Sequence, residues 1–322
     1  MCLRVFSTQT EHDTQLWGSD GWDWSLRMKD QLLEAHDPRY AATDDPEEAD
    51  LIVFWEPHQD AQAVWAPRLR AHPLVHQYPN KAFVVSVEDA PLGFLPGLYT
   101  SLPARLHHPK RHRTWIYYRL QNPYLHARRD ERQDVAPRNL ASFTGANSDE
   151  VRAALFDRKD GLARHRIFLE ATRRGRFAVN PHDPRLRESQ IAYIDAMLDA
   201  KFSLCPRGNG AGSYRVQESL AVGRPPVIIS DEWVPVADLD WNRFAVFVEE
   251  KNLRHLPAIL CEREPHWAEM AQKARETYEA WFRLDTFAVN ALRHITAIHR
   301  TRTHDERSFI ARWDDMIAAR QD

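Results

Sequence analysis

The stretch PRGNGAGSYRVQE (206–218) concentrates residues that could bind an anion: Gly208, Gly210 and Gly212, Arg207 and Arg215, and Glu218. Glycines let backbone N–H groups approach an oxygen atom that side chains would hold off. Ser213 stands at the N-cap position of a helix-compatible run, YRVQESLAV. A helix starting there points the positive end of its dipole at the loop. Either arginine can grip a phosphate oxygen pair with its guanidinium. Glu218 lies three residues past Arg215 and so shares its helix face. A carboxylate in that place accepts hydrogen bonds from a ribose diol. The chemistry on offer is the binding of a nucleoside diphosphate. On spacing alone, a plain turn beside an Arg–Glu surface pair fits equally well. The dinucleotide pattern G-x-G-x-x-G is not met, since position 213 is Ser, and no GK[ST] of a P-loop occurs.

Other chemistry-bearing residues follow short apolar runs, where ligands of open parallel sheets collect. In the first half these are Thr8 to Thr10, Glu56 with His58, and Glu88 with Asp89. In the second half they are Thr144 with Gly145, Arg207 to Ser213, and Ser230 to Glu232, including Asp231. The first group offers carboxylates that could serve as a general base; the second offers phosphate and hydroxyl partners. WGSDGWDW (17–24) sets Trp22 and Asp23 at a turn. Its rings suit the C–H faces of a sugar acceptor, or they pin the next helix to the core. RLHHPKRHR (105–113) lacks carboxylates at metal-ligand spacing and is expected to be a solvated loop or a contact for an anionic membrane or acidic acceptor. RTRTHDER (300–307) is expected to be an exposed, mixed-charge helix face.

The elements that must hold these residues are short runs rich in Val, Ile and Phe, bounded by Pro, Gly or charge. They are LRVFST (3–8), ADLIVFWEP (49–57), KAFVVSVED (81–89), RTWIYY (113–118), NLASFTGA (139–146), FSLCP, PPVII and FAVFVE (244–249). Between them lie amphipathic helices: 22–35, one through Ile191, Ile194 and Leu198, and one through Trp267, Met270, Ala274, Tyr278 and Trp281. Alternation of buried strands with helices predicts an α/β fold with parallel sheets. A fresh start near 139, after the charged ARRDERQDVAPR (127–138), divides the chain into domains at 1–138 and 139–285. Helices over 286–322 are expected to pack back on the body.

With 322 residues and 43% apolar content the chain can bury two cores. Lys and Arg total 43 against 46 Asp and Glu, a balance that gives no bulk attraction to nucleic acid. Cys2, Cys205 and Cys261 form no CxxC pair, so no disulfide framework or zinc site is predicted. The N-terminus has no apolar signal core, and no run reaches the ~20 apolar residues of a membrane span. These features predict a cytoplasmic protein.

SLCPRGNGAGSYRVQESLAVGRPPVIISDEW (203–233) resembles the signature of the exostosin family of glycosyltransferases. That signature runs from a strand and a PRG loop into a Gly-Ser-x-Arg-x-x-Glu helix start, followed by a Gly-x-x-Pro-Val strand. LDWNRFAVFVEEKNLRHLPAIL (239–260) and, in the first half, DDPEEADLIVFWEP (44–57) and KAFVVSVED resemble further family segments. The resemblance implies a GT-B fold: two Rossmann-like domains facing across a cleft, with donor in the C-terminal domain and acceptor in the N-terminal one. It implies inverting transfer of a sugar, usually from a UDP-sugar, to a hydroxyl of a saccharide or small molecule. Donor contacts then fall to Arg207, Gly208, Gly212, Ser213, Arg215, Glu218, Ser230, Asp231, Thr144 and Gly145. Acceptor contacts fall to Trp22, Asp23 and His58. Asp89 aligns with the Asp of the family's His-Asp strand end and is the first candidate base. Glu88 replaces the His, and Glu56 competes. No resident cofactor or metal is required; a divalent ion is not indicated. The alternatives are a fucosyltransferase-like enzyme using a GDP-sugar, and a non-catalytic GT-B partner that stabilises another transferase. Peripheral membrane contact is compatible with either.

Overall fold

LIVFWE becomes a strand, β3 (Leu51–Glu56), buried at every position, because parallel strands on both sides and helices on both faces leave it no solvent. The computed structural model describes residues 2–10, 24–56, 69–89, 91–117, 122–172 and 184–312. It divides into two compact units: Met1–Arg119 with Val234–Ala237 and Arg283–Asp322, and Leu120–Trp233 with Asp238–Phe282.

In the first unit, β1 (Leu3–Thr8), β2 (Tyr40–Ala42), β3, β4 (Ala82–Ser86), β5 (Gly97–Tyr99) and β6 (His112–Thr114) form one parallel sheet ordered β2-β1-β3-β4-β5-β6. The register pairs Glu56 with Ser86, so the carboxyl ends of β3 and β4 finish level. β5 requires glycine: Gly97 has φ +155°, and a Cβ there would lie 2.0 Å from the Val84 carbonyl oxygen. The C-terminal helix Leu284–Thr301 belongs to this unit, where the Ala288 N–H donates to buried Gln31 and Thr296 shares a 3.1 Å hydrogen bond with Tyr40.

In the second unit, β7 (Asn139–Ala146), β8 (Ile167–Thr172), β9 (Ala200–Pro206), β10 (Pro226–Ile229) and β11 (Val246–Val248) form a parallel sheet ordered β11-β10-β9-β7-β8. Phe143, Leu169, Phe202, Leu204, Val227 and Ile229 lie in its core. Residues 127–138, the charged stretch ahead of the boundary expected near 139, are tied to this unit by ion pairs. Arg128 meets Asp195 at 2.7 Å, and Arg132 bonds both Asp195 and Asp199. The break between units therefore falls at 119/120, ahead of residue 138.

Both sheets are α/β and parallel, as the alternating runs predict. Two charged stretches behave otherwise than the sequence suggests. Within RLHHPKRHR, Arg111 and His112 are fully buried, and within RTRTHDER so is Glu306. Arg111 and Glu306 neutralise each other, which a reading of each stretch alone cannot show. The helix Trp267–Thr277 continues into a wider π turn over Tyr278–Phe282. The extra residue per turn brings Phe282 into the core and leaves Trp281 half-exposed. Among the described residues, no helix is long and apolar enough to cross a membrane.

Candidate active site

Each sheet has the doubly wound order 2-1-3-4-5, the first with a sixth strand added. In such sheets the connections leave in opposite directions on either side of the first strand, and a crevice opens at the carboxyl ends there. The two switch points are β1/β3 in the first unit and β7/β9 in the second.

At β7/β9 stands Arg215, in the first turn of the helix Tyr214–Ala221 that follows the Gly-rich loop. Its residue is only 8% exposed, so the surface-pair reading does not apply. The guanidinium lies between two aromatic faces, 4.6 Å from the Phe143 ring centre and 4.8 Å from that of Tyr193. Its Nη2 donates to the Thr144 carbonyl. Gly145 makes room: a Cβ there would lie 3.1 Å from Arg215 Nη2 and 2.8 Å from the Phe143 ring. Two buried donors at this point, Arg215 Nε and Thr144 Oγ1, have no hydrogen-bond partner among the described residues. One turn on, Glu218 accepts a short hydrogen bond from the Tyr193 hydroxyl. Burial pushes the Glu218 carboxyl above its ordinary range, against the opposing pull of Tyr193 and Arg215. Ser213 has the extended backbone of an N-cap, but its hydroxyl makes no capping bond.

Arg207 is placed differently from Arg215. Its guanidinium meets three carboxylates: Glu250 at 2.7 Å, Asp149 at 2.6 Å and Glu150 at 2.9 Å. Asp149 also caps the helix Glu150–Phe156 by accepting from the Val151 N–H. Arg207 thus ties the loop to two helix starts. The loop's own carbonyls are held by Arg152, whose Nε donates to Arg207 O at 2.9 Å and whose Nη2 donates to Pro206 O. Gly208 packs there, because a Cβ would come within 3.0 Å of Arg152 Nη2. Gly212 is buried in the same loop. Asp231 and Glu250 exchange backbone and side-chain hydrogen bonds, and the Ser230 hydroxyl accepts from the Trp233 N–H.

At β1/β3 the carboxyl end of β3 presents Glu56, which is 1% exposed. Thr10, just past β1, donates to it twice: N–H to Oε1 and hydroxyl to Oε2, both at 2.9 Å. Burial raises the Glu56 pKa to about 7, although both Thr10 hydrogen bonds act to lower it. Thr10 itself is half-buried, less hidden than the carboxyl it bonds. Glu88 is fully buried, and its N–H donates to the Ser86 hydroxyl. Asp89 is half-buried and accepts from the Tyr117 hydroxyl at 2.9 Å. Trp22, Asp23 and His58 lie outside the described residues.

The structure therefore brings Thr144, Gly145, Arg215 and Glu218 together around two residues the sequence did not single out, Phe143 and Tyr193. Phe143 precedes Thr144 in a strand and shows only a core pattern. Tyr193 lies between Ile191 and Ile194 on a separate helix, with no local signal linking it to Glu218. Arg152 was likewise unmarked.

A family model described as the exostosin GT47 domain matches residues 108–262. An exostosin-1 homolog of Caenorhabditis elegans is 35% identical over 94 residues, which cover 28% of this chain and 25% of that protein. A probable glucuronosyltransferase 47 A of Physcomitrium patens is 41% identical over 87 residues, 26% of this chain and 19% of that one. The chain thus spans about a quarter or less of these relatives' length. Among solved structures, an α1,3-fucosyltransferase aligns over 94% of this chain and 92% of its own, at 14% identity and a TM-score of 0.45. Residues 108–262, which hold the Gly-rich loop and the Arg215–Glu218 helix, are thus similar to the exostosin GT47 domain of glycosyltransferases.

Proposed function

We propose that this protein is an inverting glycosyltransferase that moves a sugar from a nucleotide diphosphate donor, a UDP-sugar, to a hydroxyl of a saccharide or small-molecule acceptor. The reading is carried by one observation: the two switch points hold complementary chemistry. A buried cation whose Nε has no hydrogen-bond partner among the described residues sits at one, and a buried carboxyl with a pKa of about 7 sits at the other.

In this reading the second unit binds the donor. Arg215, Thr144 Oγ1 and the start of the helix Tyr214–Ala221 face the diphosphate and offset the negative charge that grows on it as it leaves. Glu218, set by Tyr193, takes the ribose hydroxyls. Arg207 serves the same site by fixing the loop, since its N–H groups are engaged by carboxylates. The first unit supplies the base. The acceptor hydroxyl passes its proton to Thr10 Oγ1 as the Thr10 proton moves to Glu56 Oε2, and the acceptor oxygen attacks the sugar carbon from the face opposite the diphosphate. No resident cofactor enters the scheme; the nucleotide sugar is a co-substrate.

The test is a thermal-shift titration with UDP and with GDP. UDP at about a hundred times its Kd should stabilise the protein by about 2.7 kcal/mol, and Arg215→Ala should abolish the response. Arg215→Lys should restore little of it, because an ammonium keeps the charge but loses the planar fork and the stacking. A larger response to GDP would assign a GDP-sugar instead. Nucleotide binding without turnover would point to the non-catalytic partner. If neither nucleotide shifts the melting temperature, the donor site is misassigned.

A further inference from the structure

Three neighbouring strands of the first sheet end in one hydrogen-bonded chain. Asp89 follows β4, Ser101 follows β5 and Tyr117 follows β6. The Tyr117 hydroxyl donates to Asp89 Oδ1 at 2.9 Å and lies 2.7 Å from Ser101 Oγ. Since the phenol proton goes to Asp89, the Ser101 hydroxyl donates to the Tyr117 oxygen. Tyr117 and Ser101 are 3% and 1% exposed, whereas Asp89 is half-buried. The order of the chain is thus interior hydroxyl, interior phenol, then a half-buried carboxylate. Beside it, the buried Thr100 Oγ1 has no hydrogen-bond partner among the described residues.

We propose that Tyr117 is a positioning residue for a saccharide acceptor: anchored by Ser101, it fixes the Asp89 carboxylate so that Asp89 accepts hydrogen bonds from acceptor hydroxyl groups. A carboxylate is an acceptor-only group with room for several hydrogens, and sugar hydroxyls are neutral donors. Clamping one oxygen sets the plane of the group, so less freedom is lost when a sugar binds. Asp89 then orients the acceptor while Glu56, at the end of the adjoining strand β3, receives the proton. The proposal rests on reading the first unit as the acceptor side.

Its test is binding of methyl β-glucoside, methyl β-galactoside and methyl β-xyloside to the full chain, followed by ligand-observed NMR. Wild type should bind at least one of them. Tyr117→Phe and Asp89→Asn should each weaken that glycoside about ten-fold, the order of a hydrogen bond to a charged group, with the UDP-induced thermal shift unchanged. A merely structural Tyr117 would move the melting temperature and the UDP response instead. Asp89→Asn decides the matter if Tyr117→Phe does not fold. Wild-type affinity in Asp89→Asn, or in a folded Tyr117→Phe, overturns the proposal, and so does a wild type that binds none of the three glycosides. A missing UDP response in wild type sinks the donor assignment alone, because glycoside binding is read without nucleotide.

Discussion

Glu56→Gln is expected to cut kcat by about 10²–10⁴-fold, the usual worth of a positioned general base, while nucleotide binding stays intact. The amide fits the same place: its oxygen accepts from the Thr10 N–H, and its nitrogen donates to the Thr10 hydroxyl. Only the capacity to take a proton is removed. The wild-type kcat/KM should rise with pH and level off above an apparent pKa near 7, matching the value that burial gives Glu56. Thr10→Val keeps the carboxyl but breaks the proton path, so it should lower kcat as well. Stability supplies an independent readout of opposite sign. A carboxyl whose folded pKa stands above its ordinary 4.5 contributes stability that is complete below pH 4.5 and lost as pH rises to about 7. The rise corresponds to about 3 kcal/mol carried as a cost above pH 7. Glu56→Gln should therefore be more stable than wild type at pH 8 and about equal to it at pH 4. An inactive yet more stable variant is what loss of a buried general base produces, whereas a purely structural buried carboxyl gives the gain in stability without the loss of activity. Retained activity in Glu56→Gln would remove Glu56 from the mechanism and return the role of base to Asp89.

Glu306→Ala is expected to destabilise the first unit by about 3–5 kcal/mol, the cost of leaving a buried charge without its partner. Arg111 and Glu306 are 1% and 0% exposed and meet at 2.7 Å through Nη2 and at 3.1 Å through Nε. The guanidinium also donates to the Phe94 carbonyl and lies 4.0 Å from the Phe309 ring centre. Asn80 fastens the same segment, accepting from the Glu306 N–H and donating to Asp305. Removal of the carboxylate thus strands Arg111 and loosens the last described helix, Glu306–Ala311. Against a total stability of about 5–15 kcal/mol, the change should appear as a large drop in the urea midpoint. Replacing both partners together, Arg111→Met with Glu306→Leu, should recover most of it, because desolvation of two charges offsets much of their attraction. An unchanged midpoint in Glu306→Ala would show that the pair carries no net stability. His107, His108 and His112 surround this pair, and burial lowers the pKa of each. Their contribution is complete above an unfolded value near 6.5 and lost as pH falls below it, so acid should weaken the same region.

The sequence was most legible where a run was long enough to carry its own boundaries. β1 over Leu3–Thr8 and β7 over Asn139–Ala146 match the predicted runs end to end. β2 and β5 escaped because YAA and GLY, three residues each, hold no apolar run. β8 escaped because, as an edge strand paired only with β7, it alternates buried and exposed positions at its start. At the candidate site, PRGNGAGSYRVQE announced the strand, loop and helix, and the spacing of Arg215 and Glu218 put them on one face. It treated the two arginines of the loop alike. The fold separates them by contacts far away in sequence: Glu250 and Asp149 reach Arg207, while Phe143 and Tyr193 enclose Arg215.

By itself, then, the sequence determined local geometry: which residues extend, where a helix starts, and which side chains that start presents to an anion. These depend on backbone sterics and on neighbours three or four residues apart. Only the tertiary structure decided which charges lie inside. Arg111 finds Glu306 across 195 positions, and Glu56 acquires its raised pKa because β3 became a strand with neighbours on both sides and its end was buried, against the opposing pull of the Thr10 hydrogen bonds. Desolvation is set by everything that surrounds a group, and the chain order does not record those surroundings.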